Sequence, residues 1–202
     1  MDDPLLRKKN KEERVDLYTA EDPITVGQKE SGITDLEIEE VVNFVHSLYI
    51  IKARGRKNTD IANDVNRHIH GALYALGTGS RNPEYIEHAA SSLREMLHMW
   101  SGWEQMRDTI CIQIGKSSNE DHKIRNQCER IWNFYGLFSA LAHHNLDGVV
   151  GKYRAINREM YKVSNEECFM RAKNHEIFCM LVGEYVKEMY NLSKLVTDHG
   201  SN

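Results

Sequence analysis

The residues of this chain best suited to chemistry lie between Gly77 and Trp100, in the stretch GTGSRNPEYIEHAASSLREMLHMW. Arg81, His88, Arg94 and His98 stand there among residues otherwise suited to packing. An arginine offers phosphates and carboxylates a permanently charged planar fork. An imidazole titrates near neutral pH and so moves protons readily. The same residues would equally serve as solvated or ion-paired positions on a helix. A second group is GLFSALAHHN, Gly136 to Asn145, where His143 and His144 stand near an expected helix end. The helix dipole favours an imidazolium there, so a cap competes with a metal pair or a base. Adjacent helical residues point about 100° apart, which argues against one metal taking both. Of the two, His143 is the candidate binding residue, on the side of Trp132, Gly136 and Ser139. A third group, Cys168, His175 and Cys179, would share a helical stripe about 40° wide. Zinc would need a fourth ligand, such as Cys128 or a histidine. Ala172, Val182 and Val186 fall on the same stripe, so it reads as packed core, and no metal or cofactor is expected. The loop KARGRKN supplies Lys52, Arg54, Arg56 and Lys57, a local phosphate-binding candidate or a solvated turn.

The helical wheel separates the residues of the opening stretch. Ile86, Ala90, Leu93 and Leu97 share one face. Arg94 borders that face, where it would tie a carboxylate or bind a phosphate, whereas His88 and Glu95 point away.

The segment RNPEYIEH places six residues between Arg81 and His88, with Asn82 after the arginine. It resembles the motif of the HEPN superfamily, small helical bundles of which many are metal-independent ribonucleases. The resemblance implies that Arg81 holds the scissile phosphate, His88 shuttles the proton as the 2′-OH attacks, and Asn82 orients the backbone. It also implies a homodimer whose protomers share a cleft. The segment HAASSLREMLHMW resembles helical stretches reading AASSLREL that recur in bacterial proteins, some accompanying prokaryotic PIWI-type defence systems. That implies a microbial, defence-linked setting.

The elements expected to position these residues are all helical. Residues 1–32 mix charges without a sustained period and read as a flexible or loosely docked arm. Its basic run RKKNKEER reads as a solvated tail rather than a nucleic-acid arm. Residues 33–202 then form one α-helical domain. TDLE is a capping box opening a helix at Thr34 that runs to about Lys52, with Ile38, Val41, Val45 and Leu48 on its buried face. Asn58 or Thr59 caps a second helix, Pro83 suits the first turn of a third, and EQMRDTICIQIG continues as helix despite its isoleucines. Ser117 or Ser118 opens a fifth, LDGVVGKY reads as a loop or short turn, and RAINREMYKV as a short helix. Ser164 with Glu167 opens a last helix from Asn165 to about Val196, where Gly183 marks a kink or a close approach. The whole is an all-α helical bundle of five to seven helices with a flexible N-terminal arm.

Composition narrows the function classes. The net charge of −4 excludes a basic field over the whole molecule, though not a local patch. Apolar residues at 41% and charged residues at 28% fit a soluble globular domain. No apolar run approaches the roughly 20 residues that span a bilayer. The charged N-terminus does not read as a signal peptide, and none of the four cysteines forms a C-x-x-C pair, which together suggest a reducing cytoplasm. No Walker loop, dinucleotide fingerprint, H-E-x-x-H or G-x-S-x-G occurs. The leading expectation is therefore a HEPN-like domain binding or cutting RNA. The alternative is a non-catalytic module that docks a partner protein or a second copy of itself, and a zinc-stabilised bundle is a third reading.

Overall fold

A computed structural model describes residues 21–53, 60–79, 84–115 and 122–200. Nine α-helices occur among the described residues, with no strand: α1 Pro23–Ser31, α2 Asp35–Lys52, α3 Asp60–Gly77, α4 Tyr85–Glu95, α5 Trp103–Ile114, α6 His122–Ala142, α7 Leu146–Ile156, α8 Asn165–Ala172 and α9 His175–Gly200. A 3₁₀ turn, Arg158–Lys162, lies between α7 and α8. The all-α bundle is as expected, but the helices are more numerous, for three local reasons.

The first is α1, which falls inside the expected arm. Asp22 caps it by accepting from the Thr25 N–H at 3.1 Å, Pro23 occupies the first turn, and Gly32 ends it at a left-handed φ of 64°. Residues 23–31 thus form a capped helix packed closely on its neighbours. Backbones meet without intervening side chains: a Cβ on Gly27 would lie 2.0 Å from the Leu73 carbonyl oxygen in α3, and one on Gly183 would lie 2.0 Å from that of Ser31. Gly183 therefore serves a close approach of α9 to α1. The rest of the expected arm, residues 1–20, lies outside the described residues.

The second is LDGVVGKY, expected as a loop and found as the start of α7. Asn145 caps it by accepting from the Gly148 N–H at 3.0 Å, and Val149, Val150 and Tyr153 are buried. Packing outweighs the low helix propensity of two glycines and two valines. The third is a break in the expected last helix. Asn174 accepts from the Ile177 N–H at 3.2 Å and starts α9 afresh, leaving Cys168 on the separate helix α8.

Elsewhere the elements follow the pattern read from sequence. Thr34 and Glu37 form the reciprocal capping box of α2, and Ile38, Val41, Val45 and Leu48 are buried. The caps expected at Asn58 or Thr59 and at Ser117 or Ser118, and Pro83, lie outside the described residues. The segment Trp103–Ile114 is helical, with Thr109 and Ile110 buried. The core runs between α4, α6 and α9, where Phe138 meets Tyr185 edge-on at 5.2 Å and Phe178 at 6.0 Å. Tyr185 is fully buried, and its hydroxyl is the single buried side-chain polar atom without a hydrogen-bond partner among the described residues. No described helix is long and apolar enough to cross a membrane.

Candidate functional site

The wheel of α4 is realised: Ile86, Ala90, Leu93 and Leu97 are buried, Arg94 is half-buried, and His88 is exposed, facing Glu84 at 3.8 Å. After Glu95 the helix tightens, with Leu97 N–H bonding Arg94 O at 3.2 Å and Trp100 N–H bonding Leu97 O at 3.1 Å. Trp100 anchors this turn through its indole N–H, which donates to Thr109 in α5 at 3.1 Å. Tyr49 of α2 packs edge-on against the Trp100 ring at 4.9 Å. His98 thus projects from a short turn fixed on both sides.

At the end of α6 the chain closes in a Schellman arrangement. Asn145 N–H bonds Ala140 O at 2.8 Å and His144 N–H bonds Leu141 O at 3.2 Å. His144 takes the left-handed position at φ 52°, the only non-glycine residue with positive φ among those described. Such positions disfavour side chains and concentrate at functional sites. This turn carries His143 to the Arg94 guanidinium, which donates from Nη1 to His143 Nε2. A guanidinium only donates, so Nε2 accepts and the His143 proton sits on Nδ1.

Glu95 joins this pair to His98. Its Oε1 accepts from Arg94 Nε at 3.1 Å and Nη2 at 3.0 Å, and its Oε2 lies 3.7 Å from His98 Nδ1. His98 Nδ1 also lies 2.6 Å from the Glu95 carbonyl oxygen. A carbonyl only accepts, so Nδ1 carries a proton and donates there, which leaves Nε2 facing outward. Beyond His98 opens a cleft of about 200 Å³ bounded by Tyr49, Asp64, His68 and Met99. That volume is below the roughly 300 Å³ typical of small-molecule sites, and the lining carries two carboxylates, Asp64 and Glu95. Burial lowers the His68 pKa, which keeps this imidazole neutral at pH 7, and pushes the Tyr49 hydroxyl up to about 12.

A second polar knot braces the same helix. Glu87 accepts from Lys173 at 2.6 Å and lies 3.8 Å from His144 Nδ1. Burial acts to raise the Glu87 pKa, but the Lys173 hydrogen bond and the Lys173 and His144 charges outweigh it, holding the carboxyl below its ordinary range.

Of the residues singled out by sequence, Arg94 and His143 are brought together. Lys52 stands elsewhere, donating to Gln105 at 3.0 Å beside a groove between α2 and α5. Arg54, Arg56, Lys57, Arg81 and Asn82 lie outside the described residues. Spacing did not single out Tyr49, Asp64, His68, Glu95 and His98 as a group. The one sequence signal was REMLH, which sets Arg94, Glu95 and His98 on adjoining helical positions. Cys168, His175 and Cys179 do not form one stripe, because Asn174 separates α8 from α9. Comparison of the chain with protein-family models, with curated proteins and with solved structures finds no match.

Proposed function

We propose that this chain is a helical RNA-binding domain, HEPN-like in character, that cleaves RNA without a metal at the Arg94–His143 cluster. The observation that carries the reading is the contact between the Arg94 guanidinium of α4 and the His143 imidazole of the turn that closes α6, residues distant in sequence. A phosphate arriving at Arg94 would compete with His143 Nε2 for the guanidinium and release that lone pair. His143 would then take the 2′-OH proton as the oxygen attacks phosphorus, and the 5′-oxygen would leave with a proton from Nε2 of His98 in its imidazolium form. Glu95 would hold Arg94 and His98 in register. The roles the resemblance implies for Arg81, Asn82 and His88 (phosphate grip, backbone orientation and proton shuttle, in a cleft completed by a second protomer) are the rival assignment of the same chemistry. The resemblance of the SLRE segment alone suggests a microbial defence setting. The four cysteines, none in a disulfide, fit a cytoplasmic protein.

The test is binding and chelator-resistant cleavage of single-stranded RNA, run with a sizing experiment. Removing the base or the guanidinium is expected to slow cleavage by about 10²–10⁴-fold in Arg94→Ala and His143→Ala. Loss confined to Arg81→Ala and His88→Ala would move the chemistry to that pair. A protein that neither binds nor cuts RNA would discard the reading. The alternative, a module that docks a partner or another copy, is favoured by one feature: Ile112 is 70% exposed beside the α2–α5 groove.

A further inference from the structure

We propose that Glu30, His175 and Cys179 form a zinc-class metal site that clamps α1 to the start of α9. The three ligand atoms come from two helices and lie within 4.8 Å of one another. His175 Nε2 is 3.3 Å from Glu30 Oε2 and 3.7 Å from Cys179 Sγ. Tetrahedral zinc, with bonds of about 2.0–2.3 Å, needs ligand atoms roughly 3.3–3.8 Å apart, so both edges already have the required length. His175 and Cys179 are one helical turn apart on α9 and therefore face the same way.

The imidazole is also held as a ligand requires. His175 Nδ1 is 2.8 Å from the Tyr85 hydroxyl, and with Nδ1–H donating there, the Nε2 lone pair faces the other two groups. Outer partners of this kind fix the tautomer and direction of metal-binding histidines. The Tyr85 ring packs edge-on against the imidazole at 5.3 Å, and Gly79 closes the other side, where a Cβ would sit 3.3 Å from His175 Cε1. One thiolate, one imidazole and one carboxylate suit a borderline cation such as Zn²⁺ better than Ca²⁺ or Mg²⁺. The adjoining cavity of about 370 Å³, which reaches Val26 and Leu76, leaves room for a water or an outside ligand in the fourth position. The site replaces the stripe read from sequence, exchanging Cys168 for Glu30, and it is independent of the RNA reading.

The experiment uses the full chain, stripped with chelator and titrated with Co²⁺ as a spectroscopic stand-in for Zn²⁺. One Co²⁺ per chain should bind with thiolate-to-cobalt charge-transfer absorption and be displaced by Zn²⁺. That absorption should vanish in Cys179→Ala and persist in Cys168→Ala. Glu30 is exposed, so Glu30→Gln should fold normally yet weaken binding at least tenfold, and Tyr85→Phe should weaken it by about tenfold. Absence of the thiolate band in wild type overturns the proposal. So does a band that survives Cys179→Ala, or an affinity unchanged in Glu30→Gln.

Discussion

Gly27→Ala offers a test in which two physical effects predict opposite signs. Helix propensity alone favours alanine by about 1 kcal/mol in a helix interior. The packing opposes it: the new Cβ would sit 2.0 Å from the Leu73 carbonyl oxygen, whereas real Cβ atoms essentially never come within 3.0 Å of another heavy atom. The obstacle is backbone, so no side chain can rotate away, and α1 must retreat from α3 by about 1 Å. Overpacking of this kind costs about 1–3 kcal/mol, and a backbone clash belongs at the upper end. The net expectation is a loss of about 2 kcal/mol, or about 4–8 °C in Tm for a domain of this size. Gly151 in α7 is the internal control, because a Cβ there meets nothing within 4 Å and Gly151→Ala should raise stability by about 0.5–1 kcal/mol. Urea denaturation followed by circular dichroism gives the sign, and hydrogen exchange across residues 23–31 locates it. A Gly27→Ala midpoint at or above wild type, with α1 protection unchanged, would refute the account of how α1 docks.

Arg94→Ala should lower stability by about 1–2 kcal/mol, read as a lower urea midpoint, because it removes the guanidinium that Glu95 and His143 share in a half-buried setting. His144→Gly should raise stability by up to about 1 kcal/mol by relieving the left-handed backbone, less whatever the Glu87 contact contributes, as measured by thermal melting. The folded-state pKa of Glu87 is depressed, so its stabilisation is present above the ordinary carboxylate pKa and is lost as pH falls through the lower folded value. Acid unfolding of Glu87→Gln should therefore be less steep than that of wild type over that window. Tyr185→Phe should be neutral or stabilising by about 1 kcal/mol in urea, since the buried hydroxyl has no partner to lose.

What could be read from sequence was what is local. TDLE announced α2 because both arms of a capping box lie within four residues, and the buried face of α4 followed from its period. Helix α1 was illegible because it docks through Gly27 and Gly183 rather than an apolar stripe, and close backbone approach leaves no periodic signal. Helix α7 was illegible because its glycines and valines disfavour helix until Val149, Val150 and Tyr153 find the core. Arg94 and His143 could each be singled out, one at the border of an apolar face and the other at a helix end. Their contact depends on how α4 crosses α6, which no spacing encodes. Glu30 was invisible for the same reason, since it meets His175 only once α1 lies against α9.

Asn145 belongs to two helices at once, its N–H closing α6 and its side chain opening α7. The corner therefore has no slack. A residue added between His143 and Leu146 would break one terminus or the other and swing His143 off Arg94. The length of this three-residue turn should be a stricter requirement than the identity of most residues in it, and the corner a poor place for a tag, a permuted terminus or an inserted domain.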